Sequence, residues 1–364
     1  MIEAMHRKSR YPNITVLILG IAVSLFNLKT ILSPMTGLSL FNQLPLLLKI
    51  IPLILTVGGI VIWFLPKISI KTKTFIKITI WVLFFVYLVE NLVLPIINSY
   101  LSVKDLQKIP DRSHFLDSMI YIVIRYWPDF LRGLAVTLRL SLSGTLIGLL
   151  LGLILVFFRT ITIKEHDSEL MAFIKKVGLA SSKIYVNIFR GTPMMVQAVI
   201  IYYLVPVALA AVLKTPQAEI DKLFTLMTAG LVVVSLNTAA YLTEVLRGGI
   251  ASVDKGQLEA ARSLGMSYGQ SMRYVVFPQG IRNALPSICN EFLINIKDTS
   301  VLNVIGVAEL FFVAQDAKYR YFRTYEPFII AAVIYLVVTL STSKIIQKIE
   351  KKMNLEAKEL PSCN

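Results

Sequence analysis

Eight stretches of about 20 predominantly apolar residues recur along this 364-residue chain, and nothing else constrains its fold as tightly. They are roughly Ile14–Leu32, Leu44–Leu65, Phe75–Ile97, Phe130–Phe158, Met194–Leu213, Phe224–Leu246, Leu285–Ile305 and Pro327–Ile346. A helix of that length crosses the hydrocarbon core of a bilayer, where only helices and closed barrels satisfy every backbone N–H and C=O. The expectation is an all-α, polytopic membrane protein with about eight transmembrane helices. The seventh stretch is the least apolar, because Asn290, Glu291, Asn295, Lys297 and Asp298 interrupt it. A hydrophobic share of 55% and a mean hydropathy of +0.69 are too high for a soluble globular chain. The first stretch is long and lacks a small-residue cleavage site, so it reads as a retained span rather than a signal peptide.

The net charge of +15 would suggest nucleic acid in a soluble protein. Here it sorts by loop instead. With a cytoplasmic N-terminus, the inner segments 1–13, 66–77, 159–190, 245–284 and 344–364 hold 23 basic and 9 acidic residues. The outer loops 98–129, 214–222 and 307–326 hold 9 of each sign. Basic residues gather in cytoplasmic loops, so both termini are expected in the cytoplasm and no nucleic-acid partner is implied.

The layout divides in two. Residues 1–110 carry three plain apolar spans. Residues 111–129 form a polar linker, and Phe115, Met119, Ile122 and Tyr126 then recur at helical spacing, as in an interfacial helix. Residues 130–350 carry five spans with glycines and intramembrane charges, a cytoplasmic loop over 253–286, and a tail over 351–364. No internal repeat is evident. Cys289 and Cys363 give no disulfide framework, and His6, His114 and His166 are scattered, so no metal site is expected. There is no G-x-x-x-x-G-K-[ST] phosphate loop and no nucleophile–base constellation, so the chain is not expected to be an enzyme by itself.

The loop is the least ordinary part. Asp254 with Gln257, and Ser267 with Gln270, have capping-box spacing and predict two short helices. Leu258, Ala261 and Leu264 share one face of the first, and Gly265 suits its left-handed C-terminal position. Met272, Val275 and Val276 supply the apolar side of the second, which Pro278 is expected to end. An amphipathic pair of this kind either lies on the membrane surface or is a knob for a cytosolic partner, with Ala260 and Ala261 permitting close approach and Glu259 and Arg262 setting register.

Glu259-Ala260-Ala261, Gly265, Ile281 and Leu285-Pro286 resemble the EAA loop of ABC-transporter permease subunits. The neighbouring RGTPMMVQ (190–197), AAYLTEVLRGGI (239–250), PQGIRNALP (278–286) and KDTSV (297–301) resemble the polar amino-acid uptake subfamily, which includes histidine and glutamine permeases. The resemblance covers residues 128 to 350. It implies a five-helix permease core whose loop, through Glu259, Ala260, Ala261, Arg262, Gly265, Leu285 and Pro286, couples to an ATP-binding subunit dimer. It also implies a second permease copy or paralogue, an extracytoplasmic solute-binding protein, membrane lipid, and a bacterial inner membrane. ATP and Mg would be bound by the partner ATPase, with no cofactor on this chain.

Intramembrane polar groups are functional suspects by default. Asn237, Tyr241 and Glu244, with Thr238 beside them, and Glu291, Asn295 and Asp298 repeat at i, i+4 and i+7, so two polar stripes are expected to line a substrate path. Lys297 would meet the carboxylate of a zwitterion and Glu244 or Glu291 its ammonium group. The alternative is structural, with Glu244 pairing Arg247. Gly144, Gly148 and Gly152 form a ridge for close helix packing, at a permease dimer interface or within the chain. An ion-coupled secondary transporter is the competing reading. It would need inverted repeats and no coupling loop.

Overall fold

The computed structural model of the protein describes residues 11–32, 46–63, 69–161 and 167–358. His6, His166, Cys363 and the end of the expected tail lie outside them. The described residues are mostly helical, with no strand among them. It divides into two compact units, residues 1–124 and 125–364.

The first unit contains α1 (Tyr11–Leu32), α2 (Leu46–Trp63) and a third helix, α3, running Ile70–Val103 through a π turn at Val89–Val93. Val16, Trp63, Ile76 and Ile80 form its core. Close packing is visible at Gly59, where a Cβ would lie 3.3 Å from Ile76 Cγ2. These spans are less plain than expected. Asn27 and Glu90 are buried, and Asn27 donates a hydrogen bond to the Tyr87 hydroxyl.

Into the second unit runs α4 (Phe115–Thr160), 46 residues in a single helix with Pro128 inside it. The segment expected to be a separate interfacial helix is therefore the first part of this helix. Then follow α5 (Glu169–Gly191), α6 (Met194–Leu213), the short α7 (Gln217–Leu223) and α8 (Leu226–Ala251). After α9 (Lys255–Ser263), α10 (Tyr268–Ser271) passes through a π turn at Met272–Val276 into α11 (Phe277–Asp298). A 3-10 segment, Thr299–Ile305, ends at Gly306 with φ +89°. There the path bends by 52° into α12 (Leu310–Tyr321), and α13 (Glu326–Lys358) completes the unit.

Among the described residues a helix runs through each of the eight expected stretches, but fewer of them qualify as spans by length and composition. Among the described residues five helices are long and apolar enough to cross a membrane, or six if the bent pair is one span. Polar residues break the apolar run around the 52° bend. The two further apolar helices of the first unit, α1 with 22 residues and α2 with 18, occupy the first two expected stretches.

The core of the second unit has two layers. Leu140, Ala198, Val233, Val234 and Leu302 join α4, α6, α8 and the 3-10 segment. Val156, Leu242, Leu246, Ile250, Ala284 and Ile288 join α4, α8 and α11 nearer the loop. The expected glycine ridge sits between them. A Cβ on Gly144 would meet Val234 Cγ1 at 2.5 Å, one on Gly148 would meet Thr238 Cβ at 2.8 Å, and one on Gly152 would meet Leu242 Cβ at 3.3 Å. The ridge is filled by α8 of the same chain, so it is not a face left for a second copy.

Candidate functional site: the 253–286 hairpin and the polar core behind it

The hairpin is built by its caps. Asp254 opens α9 by accepting from the Gly256 N–H at 2.6 Å, and Gln257 is not its reciprocal partner. Gln257 accepts instead from the Gln279 amide at 3.4 Å, which ties α9 to α11. At the other end Gly265 takes φ +84°, and the Gly265 and Met266 N–H groups donate to the Arg262 and Ala261 carbonyls at 3.0 and 3.2 Å. That pair of bonds is a Schellman closure, which satisfies carbonyls a helix end otherwise leaves open. Ser267 and Gln270 form the expected capping box at the start of α10.

Two expectations change here. Leu258 packs on the lower core layer and Ala261 is buried, but Leu264 is 81% exposed and does not share their face. Leu264 lies six residues after Leu258, about 120° round the helix at 3.6 residues per turn, so its side chain leaves the face that Leu258 buries. Pro278 does not end the second helix. The π turn supplies an extra residue just before it, with the Phe277 N–H reaching back to the Met272 carbonyl. A wide turn relieves the clash and missing donor that proline brings to an α-helix. Pro286 likewise lies inside α11, and Leu285 is only partly buried.

Glu259, Ala260 and Arg262 are exposed on α9, with Ala261 facing inward. The hairpin thus offers a charged, small-residue surface on a firm base. The base is a helix crossing without side chains, since a Cβ on Gly249 would lie 2.5 Å from the Gly280 carbonyl oxygen. Asn283 adds a hydrogen bond to Ser252 Oγ at 3.0 Å.

Behind the hairpin the polar residues of α8 and α11 sort into three groups. Asn295 Nδ2 donates to Thr145 Oγ1 at 2.8 Å and Thr238 Oγ1 at 3.0 Å, and all three residues are buried. Asn237 Nδ2 donates to Gln197 Oε1 at 3.0 Å, and Gln197 donates to the Phe189 carbonyl at 2.9 Å and to Thr192 Oγ1 at 2.9 Å. This ties α8 to the turn between α5 and α6, where Pro193 caps α6. Lastly, Glu244 is ion-paired with Arg159 and, at 2.8 Å, with Arg247, so it is not a free carboxylate in a path. Tyr241 lies under the Arg190 guanidinium at 5.3 Å.

So Thr238 and Asn295 are brought together, and Asn237 is placed in a neighbouring cluster. Glu291 is buried on α11, whereas Lys297 and Asp298 lie on its uncovered side and do not complete a zwitterion cage with Glu244. Thr145, Gln197 and Arg159 were not singled out from sequence. Thr145 had a signal, since it adjoins the glycine ridge that brings α4 against α8.

The family described as "Binding-protein-dependent transport system inner membrane component" matches residues 168–355, which include the hairpin and the residues of α8 and α11 just described. The chain belongs to this family. It is therefore a multi-pass inner-membrane component, the permease, and the expectation of an ABC permease with an EAA-type loop holds. Among its relatives, the arginine transport system permease protein ArtQ of Bacillus subtilis is 34% identical over 226 residues, which is 62% of this chain and 93% of ArtQ. The glutamine transport system permease protein GlnP of Escherichia coli is 35% identical over 230 residues, 63% of this chain and 94% of GlnP. A solved amino acid ABC transporter with histidines is similar at a TM-score of 0.53 and 35% identity, covering 63% of this permease and 96% of that chain.

Proposed function

We propose that this permease carries polar amino acids inward as the membrane subunit of an ATP-driven importer, with hairpin 253–286 as the element its ATPase grips. The observation that carries the reading is the near-complete coverage of ArtQ and GlnP at about one-third identity, together with a capped, exposed hairpin on a rigid base. The partners are an ATP-binding subunit dimer, which binds ATP and Mg, a second permease copy or paralogue, and an extracytoplasmic binding protein. Both termini are cytoplasmic, in line with the charge balance. ATP binding by the partner biases two permease states, and the hairpin transmits that bias. In the core, the buried cluster of Thr145, Thr238 and Asn295 is the part of the expected path that we assign to contact with a polar solute. No observation favours ion coupling.

The test is uptake of labelled glutamine and arginine into proteoliposomes holding the permease, its ATPase and its binding protein. Uptake is expected to require ATP, and Glu259→Lys and Gly265→Asp are expected to leave the protein folded but uncoupled. Uptake driven by an ion gradient without ATP would refute the reading.

A further inference from the structure

A cavity of about 540 Å³ opens beside the hairpin, between the end of α4, the first half of α5 and the α10–π-turn segment. Phe157, Ile161, Met272 and Phe277 make most of its wall apolar, and Phe157 is half exposed on the outer face of α4. The cavity is therefore continuous with the surface that faces acyl chains. Two cations also line it. Lys175 sits at 2.6 Å from Asp167, both largely buried, so that charge is matched within the wall. Arg273 is exposed, its guanidinium 5.5 Å from the Tyr274 ring, and it takes part in none of the ion pairs among the described residues. The site thus combines a greasy slot, a mouth that is net positive among the described residues, and a place at the end of a span.

A soluble anion would use the mouth and leave the slot wet, and a neutral lipid would fill the slot and leave the arginine unmatched. We propose that the cavity binds one anionic phospholipid of the leaflet on the hairpin side. Its phosphodiester meets Arg273, and its acyl chains lie on Phe157, Met272 and Phe277. A guanidinium suits a phosphate through paired N–H donors. Because the same lipid touches α4, α5 and the hairpin, it steadies the hairpin against the spans. That last consequence rests on the hairpin being the element an ATPase grips. Occupancy of the cavity does not, and the two are measured separately.

Occupancy is read by native mass spectrometry of the full chain released from phosphatidylcholine nanodiscs holding a minority of phosphatidylglycerol. One phosphatidylglycerol per chain is expected to persist in preference to phosphatidylcholine. Arg273→Gln removes one basic charge and is expected to weaken retention about fivefold. Gly269→Leu fills the slot without changing any charge. A Cβ at Gly269 meets nothing within 4 Å, so this variant is expected to fold, checked by an unchanged thermal midpoint. It is expected to lose the retained lipid. Equal retention of the two lipids overturns the proposal. So does full retention in Gly269→Leu, which would mean attraction to the surface rather than to the slot. Displacement of the lipid by glycerol 3-phosphate alone also overturns it, in favour of a soluble phosphate site. In the reconstituted transporter, phosphatidylglycerol is expected to raise ATP-driven uptake severalfold for the wild type and not for Gly269→Leu. Specific occupancy with no effect on uptake would overturn the steadying role.

Discussion

Replacing Gly265 separates backbone conformation from every other property of the hairpin. Its φ of +84° lies in the left-handed region, yet a Cβ there would meet nothing within 4 Å, so the cost of alanine is strain and not collision. That strain is about 1–2 kcal/mol for an L-residue. At about tenfold per 1.4 kcal/mol, the ratio of closed to frayed α9 ends falls about five- to thirtyfold. Asparagine tolerates the left-handed region and should lose less, whereas valine is β-branched and should lose most. Because Gly265 is exposed, the global thermal midpoint should hardly move. The assay is the ratio of solute taken up to ATP hydrolysed in proteoliposomes, for wild type, Asn, Ala and Val at 265. The expected order of coupling is wild type, Asn, Ala, Val. Equal coupling for Asn and Val, or wild-type coupling for Ala, would show that the closure does not matter and refute the argument.

Gly249→Ala collides with the Gly280 carbonyl and the Ala284 backbone, neither of which can rotate away, so it should destabilise by about 1–3 kcal/mol and lower the thermal midpoint. Asn295→Leu takes from the Thr238 hydroxyl its Asn295 partner, while Thr145 keeps its bond to the Ser141 carbonyl, at a cost of about 1–3 kcal/mol, and should alter the relative uptake of glutamine and arginine; unchanged selectivity would remove this cluster from the solute path. Arg247→Ala should cost under about 1 kcal/mol, since Arg247 is 48% exposed, whereas Arg159→Ala should cost more because its side chain is 15% exposed. Chemical denaturation in detergent compares the two, and equal costs would contradict this ranking.

The spans were legible because hydrocarbon thickness fixes their length; Met194–Leu213 begins and ends where hydropathy places it. Capping chemistry was equally readable at Ser267 and Gly265, where a side chain or a left-handed backbone acts within a few residues. Pro278 misled because local sequence states what proline forbids and not that a π turn upstream lifts the prohibition. The polar stripes were only partly legible, for a different reason. Helical periodicity puts Asn237, Tyr241 and Glu244 on one side of α8, but their partners Gln197, Arg190 and Arg159 come from other elements. Which charge is already neutralised is a long-range fact. Leu264 shows a simpler limit, since six residues of helix are enough to carry its side chain about 120° from that of Leu258.

The π turn at Met272–Val276 also has a mechanical meaning. By carrying the backbone past Pro278 without a break, it makes Tyr268 to Asp298 one rod, roughly 45 Å long at about 1.5 Å per residue. The capping box stands at one end of that rod, and Asn295, in its buried polar cluster, lies within a turn of the other. The exposed tip and the buried amide thus lie on one continuous helix, so a tilt at the first reaches the second along unbroken backbone.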